Sequence, residues 1–509
     1  MKSIARSLIV VLVALVAVPA LVVTATITTA VQLLAVTGLY MGGTEHPLGP
    51  PDSPGFVEEY MNLADANYIG PATGETPSTR VAVVYPAQFF PVFGSTTFDE
   101  SVDAGRDNLN SCIRSAPCNG SDPIEMGPED TFVVFGYSQS AVVASLVKRD
   151  LIEHPTTEVG TAPDSAEFVL LSNPMRPNGG ILGRGFEGLT IPILGITFYG
   201  ATPTNSCQKP GDPCYPTTDI AYQYDLLGGD APAVPWNVLA WANSAAAYYY
   251  LHGDAPNQSL DGAVYQGTTG DTDYYLLTSD VLPLLMPLEQ VGVPKPILLV
   301  ANAPLKVLIE AGYYREPGPG EKVPFQLLPE KDPITLVVNL AKSVPVGIDD
   351  GLDEAGVGRA LGTDPVTSPY GVGGRELPPE PDENLTANAA LEGSPAPEGA
   401  AAPQPDPTPV QPLAGGGTEK TIPDLHLSKP GNDLRQLGNE DISTPDTPPA
   451  TTPRPLQIVR DSLSFEPKPP AATRPSGDGP LKRIVNALTG QRPDAAADSD
   501  AGDESKDAA

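Results

Sequence analysis

Residues 131–141 read T-F-V-V-F-G-Y-S-Q-S-A, and this stretch restricts the fold more tightly than any other in the chain. Five residues, four of them apolar, are enough for a buried strand but too few for a helix. Residues 140–152 then read as a helix. A strand that passes through G-x-S-x-S into a helix needs small residues at the crossing. Gly136 permits the sharp turn, and Ser140 and Ala141 let the helix cross close to the strand. Such a turn holds Ser138 in a strained backbone conformation with its oxygen at the carboxyl end of the strand. The amide of Gln139 is aimed at the same place, ready to donate to an oxyanion. The helix N-terminus adds a favourable potential for negative charge. The competing reading is a surface turn whose serine caps the helix.

Apolar runs at 36–41, 80–86, 131–135, 167–173 and 220–226 predict strands, and a further strand is expected at the start of 273–288. Helical spacing predicts helices over 98–113, with Thr97 as N-cap, and over 140–152 and 236–251. Amphipathic runs follow at 296–311 and 333–344, and 178–219 reads as an irregular excursion over the sheet edge. Continuous apolar strands separated by helices imply an α/β fold with a mostly parallel sheet covered on both faces.

The ends of the chain have a different composition. Residues 7–30 carry no charge and follow a basic start with Lys2 and Arg6. That length spans a bilayer, so residues 1–35 are expected to be a signal anchor or signal peptide, with the anchor favoured. Orientation by the basic start places the rest outside the cytoplasm, anchored in the membrane or exported to the envelope. From residue 351 onward the chain holds 25 of its 60 prolines in less than a third of its length. We therefore expect residues 351–509 to be a disordered tail and residues 36–350 to be the folded domain. A chain ending near Gly351 is then expected to keep its activity. The net charge is -33, and 37 acids against 16 bases precede residue 351. An acidic domain excludes nucleic acid as a partner, since phosphate neutralisation needs Lys and Arg.

Four cysteines form two close pairs, Cys112 with Cys118 and Cys207 with Cys214. Neither pair has C-x-x-C spacing or a nearby histidine, so disulfides are expected rather than a metal site. No cofactor is called for.

A nucleophilic serine needs a base. The chain holds four histidines, His46, His154, His252 and His426. In a strand–serine–helix architecture the order is serine, acid, histidine. His46 precedes Ser138, His154 ends the helix that starts at the nucleophile, and His426 lies in the tail. His252, just past the Ala-rich helix, remains as the base. The acid is expected at the end of the preceding strand. Asp230 is the first choice, because Leu226 and Leu227 extend the apolar run past Asp225, while Gly228 and Gly229 free the backbone to turn. Asp225 is the alternative and Asp219 the third candidate. A second oxyanion donor is expected in the turn after the first strand, at the backbone amide of Thr44.

The segments L-Y-M-G-G-T-E-H-P, V-V-Y-P-A-Q, G-Y-S-Q-S, Y-D-L-L-G-G-D-A-P, the Ala-rich helix ending in L-H-G, and Y-Y-L-L-T-S-D-V-L-P-L-L together resemble the PE-PPE domain of mycobacterial proteins. The resemblance covers roughly residues 38–345 and looks like the cutinase-like, membrane-anchored members. It implies an α/β-hydrolase fold with a Ser-Asp-His triad, matching Ser138, Asp230 and His252. L-L-G-G-D carries one residue more than the usual Y-D-x-x-A-D pattern, which keeps Asp225 open as the acid. The resemblance also implies acyl transfer between trehalose-type glycolipids, or ester hydrolysis of the lipase type. The expected substrate is thus an acyl lipid or glycolipid. A non-catalytic envelope protein is the third possibility.

Overall fold

The computed structural model describes residues 35–379, except 126, 128, 129 and 208–212. Residues 1–34 of the expected signal anchor and residues 380–509 of the expected tail lie outside the described residues. Among the described residues, no helix is long and apolar enough to cross a membrane.

The main sheet has seven strands: β1 (Val36–Met41), β2 (Thr79–Ala82), β3 (Thr131–Tyr137), β4 (Ala166–Leu171), β5 (Thr217–Tyr222), β6 (Val264–Thr269) and β7 (Thr272–Leu277). Their spatial order is β2-β1-β3-β4-β5-β7-β6, and every neighbouring pair is parallel except the terminal β6–β7 hairpin. Six helices matter here: α1 (Pro54–Ala64), α2 (Phe98–Ile113), α3 (Gln139–Glu153), α4 (Val238–Leu251), α5 (Lys295–Glu310) and α6 (Pro333–Glu354). This is the expected mixed α/β architecture.

Alternation along β3 explains why its sequence is apolar almost throughout. Val133, Phe135 and Tyr137 face a core shared with Tyr60, Tyr68, Leu251 and Leu298. Phe132 and Val134 face the opposite core, shared with Val102, Leu109, Val143 and Val147. A strand buried on both faces reads as a near-continuous apolar run. Helix α2 starts at a capping box: Thr97 Oγ1 accepts from the Glu100 amide, and the Glu100 carboxylate accepts from the Thr97 amide at 3.0 Å.

Four expectations change. The strand expected over 80–86 stops at Ala82, because Val84 bonds to side chains instead, its amide to Asn119 Oδ1 and its carbonyl to Asn108 Nδ2. The strand expected over 220–226 runs from Thr217 to Tyr222; Tyr224 then takes a positive φ of 70° and the Asp225 amide returns to the Tyr222 carbonyl. Strand β6 was not expected; it pairs with β7 across the two-residue turn Gly270-Asp271. Finally, the folded domain does not end at residue 350. Helix α6 runs on to Glu354, and the chain beyond packs back against the domain. Tyr370 is buried, Pro369 O accepts from Gln223 Nε2 at 2.8 Å, and Arg375 Nη1 donates to Arg315 O at 3.1 Å.

Both expected disulfides are closed, Cys112–Cys118 and Cys207–Cys214. They suggest an extracytoplasmic location, since such bonds persist in oxidising compartments.

Candidate active site

The carboxyl end of β3 delivers Ser138 into a φ of 58° and ψ of -115°, outside the ordinary regions for a residue with a side chain. Helix α3 begins at the next residue, and the Ser138 side chain makes no capping bond to it. Gly136 is required by close approach: a Cβ there would lie 2.7 Å from the Ser140 carbonyl oxygen. Ser140, which stands at the last position of the G-x-S-x-S turn, uses its hydroxyl twice. It donates to the Met41 carbonyl at the end of β1 and accepts from the Tyr137 amide, both at 2.9 Å. The elbow is thereby tied to the strand beside it.

Ser138 Oγ lies 2.9 Å from His252 Nε2, and His252 Nδ1 lies 2.6 Å from Asp225 Oδ2. His252 and Asp225 are fully buried, and Ser138 keeps 4 % of its surface. His252 directly follows α4 and is fixed from both sides. Tyr137 Oη donates to its backbone carbonyl at 2.7 Å, and the Tyr248 ring packs 5.1 Å from the imidazole. Burial, and then the nearby Asp225 carboxylate, push the Tyr137 phenol well above its usual range, so it stays a donor.

The structure therefore corrects the preferred acid. Asp230 does not reach His252. Its carboxylate accepts from the Tyr224 amide at 2.7 Å and from Arg315, Nη1 at 2.5 Å and Nη2 at 3.1 Å. Arg315 is itself held between the rings of Tyr313 and Tyr370, at 4.2 and 4.5 Å. Asp225 takes the place beside the histidine because β5 ends early, at Tyr222. Gly228 keeps the space open: a Cβ there would lie 2.0 Å from Asp225 Oδ2. Asp219, the third candidate, points elsewhere and pairs with Arg176 Nη1 at 2.8 Å and Asn173 Nδ2 at 2.8 Å.

The expected oxyanion donors sit next to the serine in sequence and in the turn after β1. Gln139 is the next residue. Met41 pairs with Gly136 across the sheet, so the turn at 42–44 leaves β1 beside the elbow. A methyl group on Gly43 would sit 3.6 Å from Ser138 Cβ, and Thr44 is buried. Gln139 has a second task that the sequence does not reveal: its Nε2 donates to Gln88 O at 2.8 Å, holding the loop after β2 against the nucleophile.

The remaining histidines stand apart from this group. His46 Nδ1 pairs with Asp52 at 3.1 Å and its ring stacks on Phe56; His154 ends α3; His426 lies outside the described residues. A cavity of about 380 Å³ lies between α5, α6 and the segment around 359–372. Asp280, Lys295, Lys306, Asp350 and Arg359 line it, and none of Ser138, His252 and Asp225 does. Among the described residues, no group of three or more His, Cys, Asp or Glu side chains is placed to hold a metal ion.

Residues 76–314 match the PE-PPE domain. The uncharacterised PPE family protein PPE42 of Mycobacterium tuberculosis is 36% identical over 330 residues, covering 63% of this chain and 52% of that protein. Esterase PE16 of Mycobacterium tuberculosis is 37% identical over 328 residues, covering 62% of this chain and 56% of that protein. Diacyltrehalose acyltransferase Chp2 of the same species is 26% identical over 276 residues, covering 50% of this chain and 70% of that protein. The chain spans about half the length of PPE42 and PE16.

Proposed function

This chain carries a PE-PPE domain over residues 76–314, and from that premise we propose that it is an extracytoplasmic serine esterase acting on acyl esters. The observation that carries the reading is the unbroken line from Ser138 Oγ through both nitrogens of His252 to Asp225. Ser138 Oγ attacks the ester carbonyl while His252 Nε2 takes its proton. The buried Asp225 carboxylate holds the imidazole tautomer and stabilises its protonated form. The amides of Gln139 and Thr44 receive the oxyanion. Collapse expels the alcohol, which takes the proton from His252, and leaves the acyl group on Ser138. Water, deprotonated by His252, then releases the acid and restores the serine.

Hydrolysis is preferred because the relative named an esterase is the nearer in sequence, at 37% identity. Transfer of the acyl group to a sugar hydroxyl is the second reading. It uses the same residues up to the acyl-enzyme and is favoured by the likeness to Chp2. The near-complete burial of Ser138 and His252, which keeps bulk water from the acyl-enzyme, suits that reading too. A membrane-anchored position facing lipid substrates belongs to this proposal.

The test is incubation of the full-length protein with a fluorophosphonate probe and with p-nitrophenyl esters, beside Ser138→Ala. Labelling and turnover that both vanish in the variant support the assignment, and a labelled Ala variant overturns it. Incubation with a trehalose monoester separates the two readings, free fatty acid marking hydrolysis and diester marking transfer.

A further inference from the structure

Among the apolar runs outside the strands of the main sheet and the helices are F-F-P-V-F at 89–93, and Leu226 with Leu227. The first is folded into a tight turn, in which the Phe89 amide donates to the Phe93 carbonyl at 2.9 Å. The two runs meet at one place. Val92 packs on Tyr248, and Leu226 and Leu227 lie half-buried against them; Phe89, also half-buried, joins this group to the core under α2 and α3, its ring 5.3 Å from that of Phe98. No member of the group is charged.

This small cluster is fastened to the active site at three points. The Tyr248 ring lies 5.1 Å from His252. The Leu227 amide donates to Asp225 Oδ1 at 3.2 Å. The carbonyl of Gln88, which precedes Phe89, accepts from the side chain of Gln139 next to the nucleophile. Apolar side chains left partly open to solvent, as Phe89, Leu226 and Leu227 are, contribute less to the fold than those in a closed core. They offer instead a surface from which a bound alkyl chain displaces water.

We propose that Phe89, Val92, Leu226, Leu227 and Tyr248 form the subsite for the alkyl chain of the acyl group that Ser138 receives. The inference rests on the acyl-ester reading above and names its substrate class: esters of acyl chains long enough to leave the carbonyl and reach this cluster. Each methylene buried there favours the longer ester by about fourfold.

The experiment compares octyl with ethyl p-nitrophenyl phosphonates as inactivators of the full-length protein, following the mass of the Ser138 peptide. The ratio of p-nitrophenyl octanoate to acetate in kcat/KM is read in parallel. The octyl compound should inactivate at least about tenfold faster than the ethyl compound, from the methylene increment. Leu226→Ser and Leu227→Ser should each lower that ratio about fivefold or more, whereas Leu227→Met, which conserves volume, should keep it. An unmodified protein without preference for the longer chain overturns the subsite whatever the variants do. So do serine variants that keep the parental ratio. Phosphonate labelling at Ser138 without ester turnover refutes the hydrolase reading alone, because the chain-length ratio is still measured. A flat ratio with vigorous ester turnover refutes the subsite alone.

Discussion

The amide of Asp230 donates to the carbonyl of Asp225 across 3.1 Å, yet the two carboxylates of this one loop serve different partners. Asp225 faces His252, and Asp230 faces Arg315 and the Tyr224 amide.

Exchange of each acid for its amide separates these tasks. Asp225→Asn is expected to lower kcat by about 10⁴-fold with the fold intact, because the imidazole loses its tautomer and its counter-charge. Asp230→Asn should keep the turnover of its folded fraction. It should lose roughly 3 kcal/mol of stability, since it leaves Arg315 without the better of its two carboxylates. Kinetics and denaturant melts on both variants check the pair of outcomes.

The ordered domain reaches past residue 350, so truncation is expected to be position-sensitive. A chain ending at residue 379 should keep the activity and Tm of the full chain. A chain ending at residue 350 loses the last turn of α6 and the buried Tyr370 ring over Arg315. It should be less stable by roughly 3 kcal/mol or more, from lost burial and the lost cation–π contact. Thermal melts and ester turnover on the two lengths decide this.

Both cysteine pairs are expected to appear as cross-linked peptides in a non-reducing digest of the exported protein. Each closes a short loop, with separations of 6 and 7 residues, so each should stabilise by only about 2 kcal/mol. Mild reduction should lower Tm and leave a folded, active protein at room temperature.

Acid sensitivity has one identifiable source in the pair of helices beside the elbow. Burial raises the Asp150 carboxyl, but Arg106 and Asn110 outweigh it and hold the group below its ordinary value. A depressed folded pKa contributes stability above the ordinary carboxylate range, and that contribution is lost as pH falls through the folded value. Asp150→Asn should therefore lower Tm at pH 7 and show a smaller further drop towards pH 3 than the parent, as scanning calorimetry across that range will record.

The reach of the sequence differed between elements for physical reasons. The strand, elbow and helix at 131–153 were legible because a two-face-buried strand, a glycine under a crossing helix and a small-residue turn each leave their own trace. His252 was found by its place in the order of the chain. The acid was misread because Leu226 and Leu227 look like more strand, while the structure sets them in a turn against Tyr248. Asp230, in turn, is held by Arg315, 85 residues away, and no local pattern announces a partner so distant. The β6–β7 hairpin did leave a signal, two runs that hold Thr and Tyr about Gly270-Asp271, a two-residue turn of the hairpin type. The domain boundary was misplaced because the prolines and glycines of 355–379 resemble those of the tail. The burial of Tyr370, the Arg359–Asp350 ion pair and the bonds of Pro369 and Arg375 set that stretch apart.

The stacking of Arg315 between Tyr313 and Tyr370 also carries a consequence for the order in which the protein is made. Ser138, Asp225 and His252 all emerge from the ribosome before residue 253, yet the guanidinium that anchors the neighbouring Asp230 has its second ring only once residue 370 has been added. A nascent or prematurely released chain thus contains every reactive group without the full clamp on Asp230. Closure of that clamp becomes a late event in synthesis, and a chain that stops short of it holds its reactive groups in a less stable fold.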